Sequence, residues 1–282
     1  MRQISRSQIM LITGTILLTI LLYIAPREGS NTAAANVESA KISGFSIDDM
    51  INKAKLNLSS EEMNSIQNLE TISAKKPSQN VIVYDSIAKI FDKANMPEEA
   101  AFYCEKIAII EPSEKHWLNA AYRYFDGFKA ANDSEMMKAL VDKAILCYTK
   151  VLEFNPKNLD AKTDLGVCYA EGTGNPMQGI ILLREVVAAN PKHETAQLNL
   201  GFLAVKSGQY DKALARFDTV LMINPKNVEV FGYLGDVYLK KGDKEKAITN
   251  FEKYKSYLTD TIRISQVDNY IKEIKNYKEQ VN

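Results

Sequence analysis

Along most of the chain, apolar residues recur at intervals of three and four, the spacing that lines one face of an α-helix. From residue 81 onward these helical stretches repeat. Asn-Pro-Lys occurs as Asn155-Pro156-Lys157, Asn190-Pro191-Lys192 and Asn224-Pro225-Lys226, at separations of 35 and 34 residues. Leu-Gly recurs in step as Leu165-Gly166, Leu200-Gly201 and Leu234-Gly235. A period of this length built from helical patterning alone predicts a two-helix unit stacked on its own copies. One such unit cannot bury its apolar face, so stacking is required for stability. Proline cannot continue a helix and therefore sets the boundary after each second helix.

The clearest unit contains Leu200-Gly201, Gly208, Tyr210, Ala213, Phe217 and Pro225. The next contains Phe231, Leu234-Gly235, Tyr238, Gly242, Ala247 and Phe251. The preceding one contains Leu165-Gly166, Tyr169, Gly179, Leu183 and Pro191, with one extra residue expected in its inter-helix turn. Two earlier units diverge further, one through Ile87-Ala88, Phe91, Ala100, Cys104 and Pro112, the other through Trp117, Ala120-Ala121, Tyr124, Ala144, Tyr148 and Pro156. Pro112 and Pro156 lie 44 residues apart, so this unit carries an insertion near 127–138 that either lengthens its helices or forms a protruding turn.

These residues resemble the tetratricopeptide repeat (TPR) pattern, in which a large residue, Leu-Gly and Tyr mark helix A, and Ala, an aromatic, Ala and Pro mark helix B. The resemblance implies an all-α fold, a right-handed TPR helical-hairpin solenoid, with five repeats over 81–261. Small residues at the A–B contact let the two helices approach, and aromatics fill the space between neighbouring pairs.

The flanks differ. Residues 9–25 (IMLITGTILLTILLYIA) carry no charge and follow Arg2 and Arg6. As a helix they span roughly 26 Å, at the short end of what crosses a bilayer. They are expected to form a transmembrane signal-anchor helix after a short cytoplasmic N-terminus (1–8); Pro26, directly after the apolar run, disfavours the alternative of a cleaved signal. The basic residues place the N-terminus in the cytoplasm and the rest outside a plasma (inner) membrane, in an extracytoplasmic or periplasmic space. Residues 26–44 read as a polar flexible linker. Residues 45–80 read as two short helices opened by Ser46 with Asp49 and Ser59 with Glu62. Residues 262–282 read as a capping helix, with a cap at Ser265 and Asp268 and a stripe of Val267, Ile271 and Ile274 that shields the last repeat.

Composition narrows the function. Basic and acidic residues number 35 each, with no basic run, which disfavours nucleic acid as a partner. Cys104, Cys147 and Cys168 are sparse and never paired as C-x-x-C; they read as small buried hydrophobes, with a Cys147–Cys168 bridge the alternative. His116 and His193 have no ligand at metal-binding spacing. Gly172-Thr173-Gly174-Asn175 is followed by no Gly-Lys-Ser/Thr and reads as the inter-helix turn of the third repeat. No catalytic motif, metal set, cofactor or small-molecule substrate is expected, and the chain reads as a non-enzyme.

In TPR proteins the A helices line the concave surface and ligands meet defined positions of the repeat. By position, the resemblance places Lys115, Asn119, Tyr122 and Asp126 of the second repeat in that groove. The third repeat supplies Asp160 and Asp164, the fourth Asn199, Phe202 and Lys206, and the fifth Glu229, Tyr233 and Asp236. Asn119 and Asn199 can hold an extended peptide backbone through amide donors and acceptors, with Tyr122 and Phe202 as apolar pockets. The acidic bias points to a neutral or basic segment of a protein or peptide partner. The resulting expectation is a membrane-anchored interaction scaffold or chaperone-like adaptor. The alternatives are an accessory TPR subunit of a membrane enzyme complex, such as one for cytochrome c maturation, and a self-associating structural module.

Overall fold

The computed structural model describes residues 46–276, and every regular element among them is a helix. The expected transmembrane segment (9–25), the linker and residues 277–282 lie outside the described residues. Among the described residues no helix is long and apolar enough to cross a membrane.

Two short helices come first, α1 (Ile47–Lys55) and α2 (Ser60–Lys75). Ser46 Oγ accepts the Asp49 amide at 3.3 Å. Ser59 and Glu62 form a reciprocal capping box, each side chain accepting the other's backbone amide, at 3.1 and 3.3 Å. Helix α1 buries Met50, Ile51 and Ala54 in the same core as the first repeat. Helix α2 buries Ile66 completely but leaves Ile72 exposed, so its apolar face is only partly covered.

Five helical hairpins follow: α3 (Asn80–Lys93) with α4 (Pro97–Ile110), α5 (Glu114–Ala130) with α6 (Ser134–Phe154), α7 (Leu159–Val167) with α8 (Pro176–Ala189), α9 (Glu194–Lys206) with α10 (Tyr210–Ile223), and α11 (Glu229–Lys240) with α12 (Lys244–Ser256). The first helix of each is helix A of a repeat and the second helix B. Three hairpins close through the same turn. Met96, Gln209 and Asp243 donate their amides back to Phe91, Ala204 and Tyr238 carbonyls at 2.8–2.9 Å. The residue before each has positive φ: Asn95 (59°), Gly208 (71°) and Gly242 (82°). This bond pattern satisfies the last carbonyls of helix A and needs one left-handed residue, hence Gly or Asn.

Within a hairpin, a small residue in helix A receives an aromatic or aliphatic side chain from helix B. A Cβ on Gly201 would sit 2.6 Å from the Phe217 ring, and one on Gly235 would sit 2.7 Å from the Phe251 ring. In the third repeat two glycines meet directly: a Cβ on Gly179 would collide with the Gly166 carbonyl oxygen.

The insertion in the second repeat lengthens both helices, to 17 and 21 residues, and the turn at 131–133 stays short. Asp133 caps α6 by accepting the Met136 amide at 2.8 Å. The extra length is covered by the third repeat, where Lys129 pairs with Glu171 and Gly172 lies so close to Val141 that a Cβ there would collide with its Cγ2. The extra residue of the third repeat does not sit in the inter-helix turn. It is absorbed upstream as a π-helical turn, Cys168–Gly172, that widens the end of α7.

The core is one continuous cluster from Met50 to Cys168, followed by smaller clusters around Leu183, Phe217 and Phe251. All three cysteines are buried and free. The last helix, α13 (Thr261–Asn276), buries Ile271 and Ile274 against Ala247 and Phe251. It begins earlier than the Ser265/Asp268 pattern suggested, because Asp260 Oδ1 accepts the Ile262 amide at 2.9 Å and so caps the helix there.

Candidate functional site

The Asn-Pro-Lys motifs and the first-turn carboxylates of the A helices turn out to stitch the repeats together. Glu114 Oε1 accepts the side-chain amides of Asn155 and Asn158, both at 2.9 Å. Glu194 accepts those of Asn224 at 3.1 Å and Asn227 at 2.7 Å. Asn155, Asn190 and Asn224 also accept the amide two residues on, at 3.0–3.2 Å, which closes the turn around the proline. In the third repeat Asp160 meets His193 Nε2 at 3.1 Å, while His193 Nδ1 accepts the Ala196 amide at 3.3 Å and caps α9. Glu229, in the fifth, accepts from Tyr254 Oη at 2.7 Å and Arg263 at 2.9 Å.

The structure distributes the expected groove residues unevenly. Asn119 is engaged locally: its Nδ2 reaches Cys104 Sγ at 3.4 Å and its Oδ1 accepts from Arg123. Arg123 in turn pairs with Asp92 of the first repeat at 2.8 Å. Asn199 donates to the Thr195 carbonyl one turn back at 2.9 Å, a bond that any exposed helical Asn can make. Both asparagines therefore have partners within the chain. Lys115 and Lys206 are exposed, Lys206 at the end of α9.

Tyr122, Asp126, Asp160 and Asp164, in contrast, converge. The Tyr122 ring packs edge-on against Tyr148 with centroids 6.1 Å apart, and Tyr148 Oη donates to Asp164 Oδ2 at 2.9 Å. Burial pushes the Asp164 carboxyl up to about 6; Tyr148 and His193 pull it back, and Asp160 and Asp126 push it further up. The Tyr122 hydroxyl is raised by burial and then by Asp164 and Asp160. This surface is an acidic strip with aromatic backing that crosses from the second to the third repeat. No group of His, Cys, Asp or Glu among the described residues is arranged to hold a metal ion.

Further along, Phe202 and Tyr233 stack edge to face at 4.9 Å over Phe217. They are half-buried edges of the core as much as surface. Beyond Tyr233 an open cleft of about 360 Å³ lies between α11 and α13, lined by Glu229, Tyr233, Asp236, Phe251, Tyr254 and Tyr270 among others. Burial raises the Asp236 carboxyl, with Lys240 one turn on acting against it. Tyr254, Tyr270 and Phe251 were outside the expected groove because they come from helix B and the capping helix, not from the A-helix positions that the repeat pattern marks.

Residues 204–264 match the family model described as tetratricopeptide repeat. A crystal structure of a tetratricopeptide repeat protein from Parabacteroides merdae shares the fold with a TM-score of 0.57 at 18% identity, over 83% of this chain and 88% of that one. A crystal structure of MamA aligns at 20% identity and TM-score 0.49, over 63% of this chain and 91% of its own. YrrB, described as a TPR protein with an unusual peptide-binding site, aligns at 19% identity and TM-score 0.47, over 71% and 97%. No curated protein matches the chain. The fold is an all-α TPR solenoid, and its C-terminal repeats carry the tetratricopeptide sequence signature.

Proposed function

We propose that this chain is a non-catalytic adaptor that holds a neutral or basic segment of a partner protein on the face formed by its A helices. The observation that carries this reading is the convergence of Tyr122, Asp126, Asp160 and Asp164 on one surface. Such a strip offers an extended chain both carboxylate acceptors and an aromatic edge, and among the described residues no lysine or arginine pairs with Asp164. The apolar run at 9–25 supports membrane tethering, with the repeats on the extracytoplasmic side of a plasma membrane. Scaffold or chaperone-like roles follow from presenting such a face near a membrane.

The test is affinity capture of the full chain from detergent-solubilised membranes, with wild type compared against Asp126→Asn/Asp164→Asn. Both substitutions keep the shape, and the amide oxygen that replaces the Asp164 carboxylate can still accept from Tyr148. Proteins retained by wild type and lost with the folded variant support the reading. An identical set from both would place the contact elsewhere.

A further inference from the structure

The cleft between α11 and α13 has a composition that neither the repeat pattern nor a general peptide groove explains. Its walls are aromatic, with Tyr233 from helix A, Phe251 and Tyr254 from helix B and Tyr270 from the capping helix. Its lining also carries two carboxylates, Glu229 and Asp236. At about 360 Å³ it lies at the small end of ligand pockets and exceeds what a single side chain fills.

The two carboxylates are in different states. Glu229 is already answered by a guanidinium of the same chain: Arg263 pairs with it at 2.9 Å and lies 5.7 Å from the Tyr254 ring centroid. Hydrogen bonds from Tyr254 and Arg263 hold the Glu229 carboxyl below its usual range. Asp236, on the next turn but one of the same helix, has no hydrogen bond or ion pair among the described residues, although burial in the cleft disfavours its charge. One carboxylate of the lining is therefore already paired with a guanidinium, and the other is left as an open acceptor. An aromatic wall beside a partly desolvated carboxylate favours a cation, and a planar guanidinium can stack on the ring and form a fork with the carboxylate at once.

We propose that this cleft binds an arginine side chain of a partner's extended segment, with Asp236 as its counter-ion and Tyr233 and Tyr270 as the faces on which it stacks. The assignment rests on the reading of the A-helix face as the partner-binding surface. It adds a second anchor at the C-terminal end, separate from the strip around Asp164. Arg263 sits beside the site as an internal counterpart of the bound group and keeps Glu229 from competing with Asp236 for it.

The experiment uses the full chain in detergent micelles and a fluorescein-labelled Gly-Ser-Arg-Ser-Gly peptide, read by anisotropy at low salt. The comparison peptides replace arginine by citrulline, which keeps the shape without the charge, by lysine or by glutamate. Wild type is expected to bind the arginine peptide roughly tenfold more tightly than the citrulline peptide, about the worth of one desolvated cation–π contact or charge pair. Asp236→Asn, which keeps the side-chain shape and removes the charge, is expected to erase that ratio, and Tyr270→Leu to reduce it. Asp164→Asn is expected to leave it intact. Equal binding of arginine and citrulline peptides, or an unchanged ratio in Asp236→Asn, overturns the proposal. Loss of the ratio in Asp164→Asn instead also overturns it, and leaves the A-helix strip standing as the cation site. A lysine peptide that matches arginine keeps the anchor but overturns the stacked-guanidinium geometry.

Discussion

The first three repeats and the last two solve the same packing problem differently. Repeats four and five follow the family pattern closely, with Leu-Gly against Phe217 or Phe251, a glycine at the left-handed turn position and smaller clusters of buried residues, one of which joins the two repeats. Repeats one and two diverge from that pattern yet share one unbroken core with α1, α2 and the first helix of the third repeat, whose second helix packs with repeat four around Leu183. Their divergence goes into contacts between repeats: longer helices in the second repeat, a π-helical turn that fits them in the third, and a buried polar link. In that link Glu105 accepts from Tyr124 Oη at 2.7 Å and from Lys143 at 2.8 Å, across two repeats. Match to a repeat consensus measures how standard a unit is. Continuity of the core measures how strongly units are coupled, and here the two run in opposite directions.

The largest effects should test that contrast directly. Phe91→Ala and Phe217→Ala each remove a fully buried ring, and each is expected to cost about 3–5 kcal/mol in chemical denaturation. Hydrogen exchange should separate them: Phe91→Ala should raise exchange across α1 to α7, and Phe217→Ala mainly in α9 to α12. Exchange that spreads equally from both would break the distinction. Next comes the buried link. Glu105→Ala leaves the Tyr124 hydroxyl without its acceptor and is expected to cost about 1–3 kcal/mol, whereas Glu105→Gln keeps an acceptor and should cost less.

A comparable effect is expected at the third repeat, where the two styles meet. Gly179→Ala would force a methyl against the Gly166 carbonyl and the Ala170 backbone, at about 1–3 kcal/mol. Gly174→Ala, with nothing within 4 Å of its Cβ, should stay within about 0.5 kcal/mol.

A last effect concerns pH. The Asp164 carboxyl titrates near 6 in the folded chain and about 3.9 when unfolded. The native state thus binds more protons over that interval. Its contribution is favourable below the unfolded value and is lost as pH rises through 6. Asp164→Asn should therefore be more stable than wild type above about pH 6, with the difference fading towards about pH 4, measured by thermal melts across that range. Basic partner segments should bind wild type more tightly at about pH 7 than at about pH 5, because the carboxylate is then ionised. A flat profile would mean that Asp164 is better solvated than its neighbours suggest.

Local chemistry was legible in the sequence because it is written at fixed offsets along one chain. The helical period, proline after each helix B, the Leu-Gly contact and the Ser59–Glu62 capping box all depend on residues within a few turns of each other. The same holds for the all-α repeat fold and for the helix positions that Tyr122, Asp126, Asp164, Tyr233 and Asp236 occupy. What each of these residues meets was decided only by the tertiary structure. Asn119 and Asn199 looked alike by position, yet Asn119 is held by an arginine whose own partner, Asp92, lies 31 residues from it in sequence, while Asn199 bonds one turn back. Asp160 and His193 were read separately and form one contact. The cleft beside Asp236 needs rings from three helices, and its last wall, Tyr270, belongs to no repeat. A repeat position determines the direction in which a side chain leaves its helix. The dielectric, the partners and the free volume that it enters depend on neighbours brought there by stacking, and these vary from repeat to repeat while the period does not.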